Sequence, residues 1–183
     1  MDPQLVARAQ RGDQVAFNAI AQATHVRLKQ TAYRILRDLH LAEDALQQAY
    51  VEMWRGLPKL KDIERFEAWS YRILVNACYR ESKRHKRWLS QLPHPGDSTA
   101  PDGTGPVNDR DQLERGFAEL SLDHRAVVVL HYYLDLSIED TAGALGISEG
   151  TAKSRLNRAM TKLRAALGAD VPAPRAPRPE SAR

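Results

Sequence analysis

Between Ser137 and Met160 the chain reads SIEDTAGALGISEGTAKSRLNRAM, and its chemically capable side chains there include Thr151, Lys153, Ser154, Arg155, Asn157 and Arg158. Their spacing leaves Ala152, Leu156, Ala159 and Leu163 for the other face of one helix. Arg and Lys can bridge guanine edges, Asn can bridge an adenine edge, and hydroxyls suit phosphates or bases. That is the chemistry of duplex recognition, not of bond making. The preceding residues supply the rest of a helix-turn-helix. Ser137 caps a short helix, with Asp140 three residues on as an approximate capping box. Ile138, Ala142 and Leu145 point inward, and Gly146 permits the left-handed backbone that ends the helix. Ile147 plugs the turn, Ser148 caps the second helix, and Glu149 favours its positive end. Ala142 must be small because the second helix crosses close to it, and that helix then presents its polar face to the major groove. Gly143 costs ~1 kcal/mol against Ala in mid-helix and has no reason visible in sequence.

A second basic group lies at RESKRHKR, Arg80 to Arg87, and includes Lys83 and Arg84; Lys162 and Arg164 extend the first. Net charge is only +4, so these patches are local features, suited to phosphates or forming solvated helix faces. An enzyme would have to draw on Asp123, His124, His131, Asp135 or Glu139. No metal-spaced pair, Gly-rich phosphate loop or nucleophile elbow accompanies them, so no catalytic residue, metal or cofactor is expected. The single cysteine, Cys78, cannot form an internal disulfide or a Cys-rich zinc site, and a buried position is expected for it.

The elements that position these groups read as all-α. Asp2 with Pro3 starts one helix and Asp13 caps the next, in which Ala16, Phe17, Ile20, Leu28, Ala32, Ile35 and Leu36 recur at helical spacing. A third covers about Leu41 to Arg55, with Ala42, Ala45, Leu46, Ala49, Met53 and Trp54 inward, and Gly56 and Pro58 break it. A fourth begins near Ile63, with Phe66, Trp69, Ile73 and Ala77 on one stripe. Residues 91–108, QLPHPGDSTAPDGTGPVN, have too little apolar surface to pack and read as a tether. The Pro-rich stretch 169–183 reads as a disordered tail. Two small helical domains, residues 1–90 and 109–168, are therefore expected on a flexible linker, the second carrying the helix-turn-helix. The opening MDPQLVARAQRGD lacks a signal-peptide pattern, and no apolar run is long enough to cross a bilayer, so a cytoplasmic location without membrane insertion is expected.

A helix-turn-helix is shared by repressors, response regulators and sigma factors. The stretch LERGFAELSLDHRAVVVLHYYLDLSIEDTAGALGISEGTAKSRLNRAMTKLRAAL resembles region four of extracytoplasmic-function (ECF) sigma factors. GISEGTAKSRLNRA looks like that family's G-I-S-x-G-T-V-K-S-R-L-x-R-A, with Ala152 where Val is preferred. AEDALQQAYVEMW and FEAWSYRILVNACYRESKR resemble the same family's region two. Two motif sets in the right order cover nearly everything except tether and tail.

The resemblance implies an initiation subunit of RNA polymerase, not an enzyme. Asp44, Gln47 and Gln48 occupy the positions that dock on the polymerase clamp helices, with Gln48 replacing the usual Glu. The loop Leu57 to Glu64 matches the one that captures a flipped promoter base, a step costing a few kcal/mol and requiring a pocket. Lys59 and Lys61 would hold the single strand, and Arg72, Asn76, Arg80, Lys83 and Arg84 would contact the same element. Trp69 could stack on DNA, though its place on the apolar stripe favours the core. Thr151, Lys153, Ser154, Asn157 and Arg158 would read the upstream duplex, and Arg155 a phosphate. Implied partners are core polymerase, through clamp helices and flap, promoter DNA, and an anti-sigma factor. The alternative is a stand-alone helix-turn-helix regulator, which would bind its operator tightly without polymerase.

Overall fold

The computed structural model describes residues 1–91 and 109–166, so the expected tether centre and tail lie outside the described residues. The first half holds α1 (Pro3–Gln10), α2 (Gln14–Leu36), α3 (Leu39–Gly56) and α4 (Phe66–Gln91). The second holds α5 (Asp109–Glu119), α6 (Leu122–Val128), α7 (Ile138–Leu145) and α8 (Glu149–Ala166). Among the described residues there is no strand, and no helix is long and apolar enough to cross a membrane.

Local chemistry sets the helix ends. The Asp2 carboxylate accepts from the Gln4 N–H with Pro3 in the first turn, and Asp13 accepts from the Ala16 N–H at 3.0 Å. That backbone hydrogen bond, helped by the Arg8 guanidinium 2.7 Å away, holds the Asp13 carboxyl below its ordinary range. The second helix ends where Arg37 adopts a left-handed backbone at φ 58°. Asp38 then caps the Leu41 N–H, so α3 starts two residues earlier than its apolar stripe suggests.

Leu28, Ile35, Leu46, Met53, Leu74 and Val75 belong to the main core, in which α3 and α4 lie side by side. Cys78 is fully buried there, as its type predicts, and burial pushes its thiol up to about 12. A smaller cluster joins Val6, Ala9, Ala16, Ile20, Leu57 and Phe66. It seats the loop after α3, and the Gln10 amide donates to the carbonyls of Leu57 and Leu60, at 3.3 and 2.6 Å. Within the second half, Leu120, Val127, Val128, Ala159 and Leu163 form a third cluster.

The two helical domains expected from sequence are present, and the structure adds that they pack on one another. Ala126, Val129, Leu130, Leu134 and Ala144 belong to the same buried cluster as Leu28, Ile35, Leu74 and Val75. The shared burial adds to the clusters each half keeps for itself, and each fully buried Leu or Val contributes about 1.5–3 kcal/mol. Polar contacts pin the seam. Tyr79 donates to Asp123 at 2.7 Å, Tyr133 donates to Gln30 at 2.6 Å, and Arg37 pairs with Glu114 at 2.6 Å. The Arg34 guanidinium lies 4.2 Å from the Tyr133 ring centre. The segment Val129–Tyr133 is a π-helical turn, which shifts the register of the chain just before it bends into α7.

Candidate nucleic-acid interface

The helix-turn-helix forms as its residues dictate. The Ser137 hydroxyl oxygen accepts from the Asp140 N–H at 3.0 Å while its O–H donates to the Asp140 carboxylate at 2.7 Å. The first helix ends at Gly146, φ 66°, and the Ile147 N–H returns to the Ala142 carbonyl at 3.1 Å. Ser148 caps α8 through the Thr151 N–H at 3.2 Å. Ala152, Ala159 and Leu163 are buried beneath α8, while Thr151, Lys153, Ser154, Asn157 and Arg158 are exposed along its other side. Lys153 reaches the carboxylate of Glu149 at 3.5 Å, one turn back.

Arg155 differs from its neighbours. It is half-buried and its Nη2 lies 3.1 Å from Oδ2 of Asp123. The other oxygen of Asp123 accepts the Tyr79 hydroxyl from α4. Burial first, then the Asp123 carboxylate, raises the Tyr79 phenol above its ordinary value. One carboxylate therefore ties α8 to the first half, a link without any local sequence signal because its three residues are far apart in the chain.

In the first half, the loop after α3 consists of a 3₁₀ turn at Leu57–Lys59, a short link, and a second turn at Ile63–Arg65 capped by Asp62. Lys59 and Lys61 are exposed on it, as are Arg72 and Asn76 one turn apart on α4. Trp69 is half-buried: it packs beside Phe66, with ring centres 5.8 Å apart, and against Gly56. It is also at the wall of an open groove. Leu60, Lys61, Asp62, Arg65, Ala68 and Arg72 line one side with it, and Glu139, Asp140, Gly143 and Ala144 of α7 line the other. So α7 carries two acidic residues opposite the Lys61, Arg65 and Arg72 side. Arg65 was missed in sequence because it sits between the loop motif and the α4 motif.

Arg80, Lys83 and Arg84 follow on α4, away from that groove. Arg80 pairs with Glu52 of α3, and Arg84 lies 3.0 Å from Asp44. Lys83 is exposed and has no ion-pair partner among the described residues. Asp44, Gln47 and Gln48 are exposed on α3, clear of the second half, and the Gln48 amide donates to Glu52 at 3.0 Å. The structure thus separates three groups expected from sequence: the α3 face, the loop with the first half of α4, and the α8 face. It also joins Arg80 and Arg84 to the first of these.

The acidic and histidine side chains that an enzyme would need are dispersed. His131 Nδ1 donates to the Leu136 carbonyl at 2.8 Å, and His124 borders the α8 cations. Among the described residues no three His, Cys, Asp or Glu side chains are grouped to hold a metal.

Residues 20–88 match the family model described as Sigma-70 region 2, and residues 110–163 match Sigma-70 region 4. The chain is 34% identical over 175 residues to the ECF RNA polymerase sigma factor SigM of Mycobacterium tuberculosis, covering 91% of this chain and 85% of that protein. It is 32% identical to the RNA polymerase sigma-E factor of Streptomyces coelicolor, over 84% of this chain and 86% of the other. Among solved structures it resembles CnrH in complex with the cytosolic domain of CnrY: TM-score 0.65, 26% identity, 93% of this chain and 99% of that one. The fold is also that of RpoE from Bartonella quintana, solved with the anti-sigma factor NepR: TM-score 0.67, 24% identity, 85% of this chain and 98% of the other.

Proposed function

The chain belongs to the ECF sigma factors of RNA polymerase, initiation subunits that are not enzymes in their own right, and we propose that it reads its promoters with two surfaces that polymerase must first separate. One observation carries this reading: in the docked chain the α8 face is open to solvent, whereas the loop and Trp69–Arg72 face α7 across a groove. Lys153, Ser154, Asn157 and Arg158 read the upstream duplex, with Thr151 at the helix start. Arg155 reaches a phosphate only by leaving Asp123. Lys59, Lys61, Arg72 and Asn76 take the melted downstream strand, and Lys83 continues the phosphate track along α4.

Core polymerase docks on Asp44, Gln47 and Gln48, which α7 leaves uncovered, and holds the two halves at promoter spacing. Residues 1–90 and 109–168 act as the two reading units, with the segment between them as the link. Fixing both on one body raises the effective concentration of the second contact once the first has formed. The site of action is then the cytoplasm, where polymerase and promoter are. A regulator of the kind solved with the Bartonella RpoE, an anti-sigma factor, would act by holding these surfaces covered.

A stand-alone regulator would leave the region-two match at residues 20–88 without a role. Gel-shift titration of one promoter fragment, with and without core polymerase, separates the readings. The sigma reading expects weak binding by the free chain and strong binding by the holoenzyme. Equal affinity in both would overturn it, and run-off transcription on upstream genomic fragments would identify the promoters.

A further inference from the structure

Between α3 and α4 lies a shallow groove lined by Asp44, Gln47, Gln48, Val51, Glu81 and Arg84. Its most unusual member is Glu81. It is only 7% exposed, which is rare for a carboxylate. Its Oε2 accepts no hydrogen bond among the described residues. The cation beside it is Arg84, whose Nη2 lies 2.6 Å from that oxygen but off the N–H direction. The same nitrogen lies 3.0 Å from Asp44 Oδ2, and this second contact is a proper hydrogen bond. One nitrogen therefore serves two carboxylates, and only one of them well.

A carboxylate out of water needs both charge and directed donors. Arg84 supplies charge with poor direction, and its side chain is 67% exposed, so solvent competes for it. A guanidinium presented from outside could face the groove fork-on and donate to both carboxylates with two separate nitrogens. The side-chain carbonyls of Gln47 and Gln48 offer further acceptors, and Val51, 39% exposed, offers apolar surface for the methylene stem.

We infer that this groove is an arginine-binding site for the docking helix of polymerase, that Glu81 is a contact residue within it, and that Arg84 is an internal stand-in which the incoming guanidinium displaces. The inference rests on the reading of α3 as the polymerase-docking face. Displacement does a second thing. Arg84 is freed beside Lys83 and Arg87, which are exposed on α4 and without ion-pair partners among the described residues. Three cations then face the DNA where the free chain offers two. Docking at α3 would thereby strengthen the phosphate track on α4 through a single exchanged ion pair.

The test uses the full chain and purified core polymerase, with affinity read by fluorescence titration and helicity by circular dichroism. Arg84→Gln empties the groove and should tighten core binding about twofold to fivefold, the scale of an exposed ion pair. Lys86→Gln removes the same charge from an exposed α4 side chain outside the pair and should leave core binding unchanged. Glu81→Gln keeps size and removes the acceptor charge, and should weaken core binding on the order of tenfold, with or without Arg84. Promoter binding by holoenzyme assembled at saturating Arg84→Gln should weaken. Equal tightening by Lys86→Gln and Arg84→Gln would reduce the effect to general charge and overturn the exchange. So would unchanged core affinity in Arg84→Gln or Glu81→Gln. If the unaltered chain does not bind core polymerase at all, the docking reading itself fails and takes the exchange with it.

Discussion

The two surfaces proposed to read promoter DNA are built from similar materials and stand in different surroundings. On α8, cations and amides stand free on a helix whose other side is anchored by Ala152, Ala159 and Leu163. On the loop and the first half of α4, the same kinds of residue face Glu139 and Asp140 across a groove closed on one side by α7. The first helix of the helix-turn-helix is the reason. α7 packs against α8 and also enters the shared core through Ala144. The helix that supports α8 thus also forms one wall of the groove beside Trp69 and Arg72. On the proposed reading, such a chain would probe duplex DNA while folded shut and would need opening before it held a melted strand.

The largest expected effect comes from Ala144→Lys. Ala144 is buried in the core common to both halves and is absent from the cluster internal to the second half. A buried unpaired ammonium costs several kcal/mol, so the seam should open while each half keeps its helices. Small-angle scattering should show an expanded chain. Binding of a single-stranded promoter oligonucleotide should rise on the order of tenfold, about 1.4 kcal/mol. A chain that opens with no gain in single-strand binding would break the contrast between the surfaces.

Arg158→Ala sharpens the other side. The loss should be about 1–3 kcal/mol in duplex binding if Arg158 reads a base, with relaxed preference at one position, and it should be the same in open and closed chains. Equal weakening on every sequence would assign Arg158 to a phosphate instead.

Gly143→Ala has a smaller effect of opposite sign. A Cβ at Gly143 meets nothing within 4 Å. The helix should gain about 1 kcal/mol, raising Tm by about 2–4 °C in a thermal melt. A fall in Tm would mean the groove between α7 and α4 is narrower in solution.

The smallest expected effect is in pH. Burial, then the Lys162 charge, lowers the His124 pKa from 6.5, and its Nδ1 is buried without a hydrogen bond. Below about pH 6.5 the unfolded chain takes up a proton that the folded chain resists, so acidification through that point costs stability. Chemical denaturation at pH 7.5 and 5.5 should show the loss, and His124→Gln should reduce it. An unchanged pH dependence in that variant would place the titrating group elsewhere.

Much of the first half was legible because its signals are local. Asp2, Asp13 and Gly56 mark helix ends by chemistry within a few residues, and all three act where expected. The start of α3 was missed by two residues because Asp38 caps it from outside the apolar stripe. Trp69 shows why single-stripe reasoning runs out. The stripe argues for core, the structure gives half-burial at a groove wall, and both follow from α4 being covered on more than one side. Thr141 and Ala144 escaped notice for the same reason: α7 looks like a helix with one inner face and in fact has two.

Sequence alone determined the helices, the turn at Gly146 and the polar face of α8, because caps, a left-handed glycine and a 3.6-residue period act over one or two turns. It also determined the family, through two motif sets in order. Only the tertiary structure decided that the halves share a core, that Asp123 links Arg155 to Tyr79, and that Arg84 occupies the groove beside Glu81. The first two depend on apolar surface shared between the halves and on side chains brought together from distant parts of the chain; in the third the Arg84–Glu81 spacing is local, and only the arrival of Asp44 from α3 required the fold.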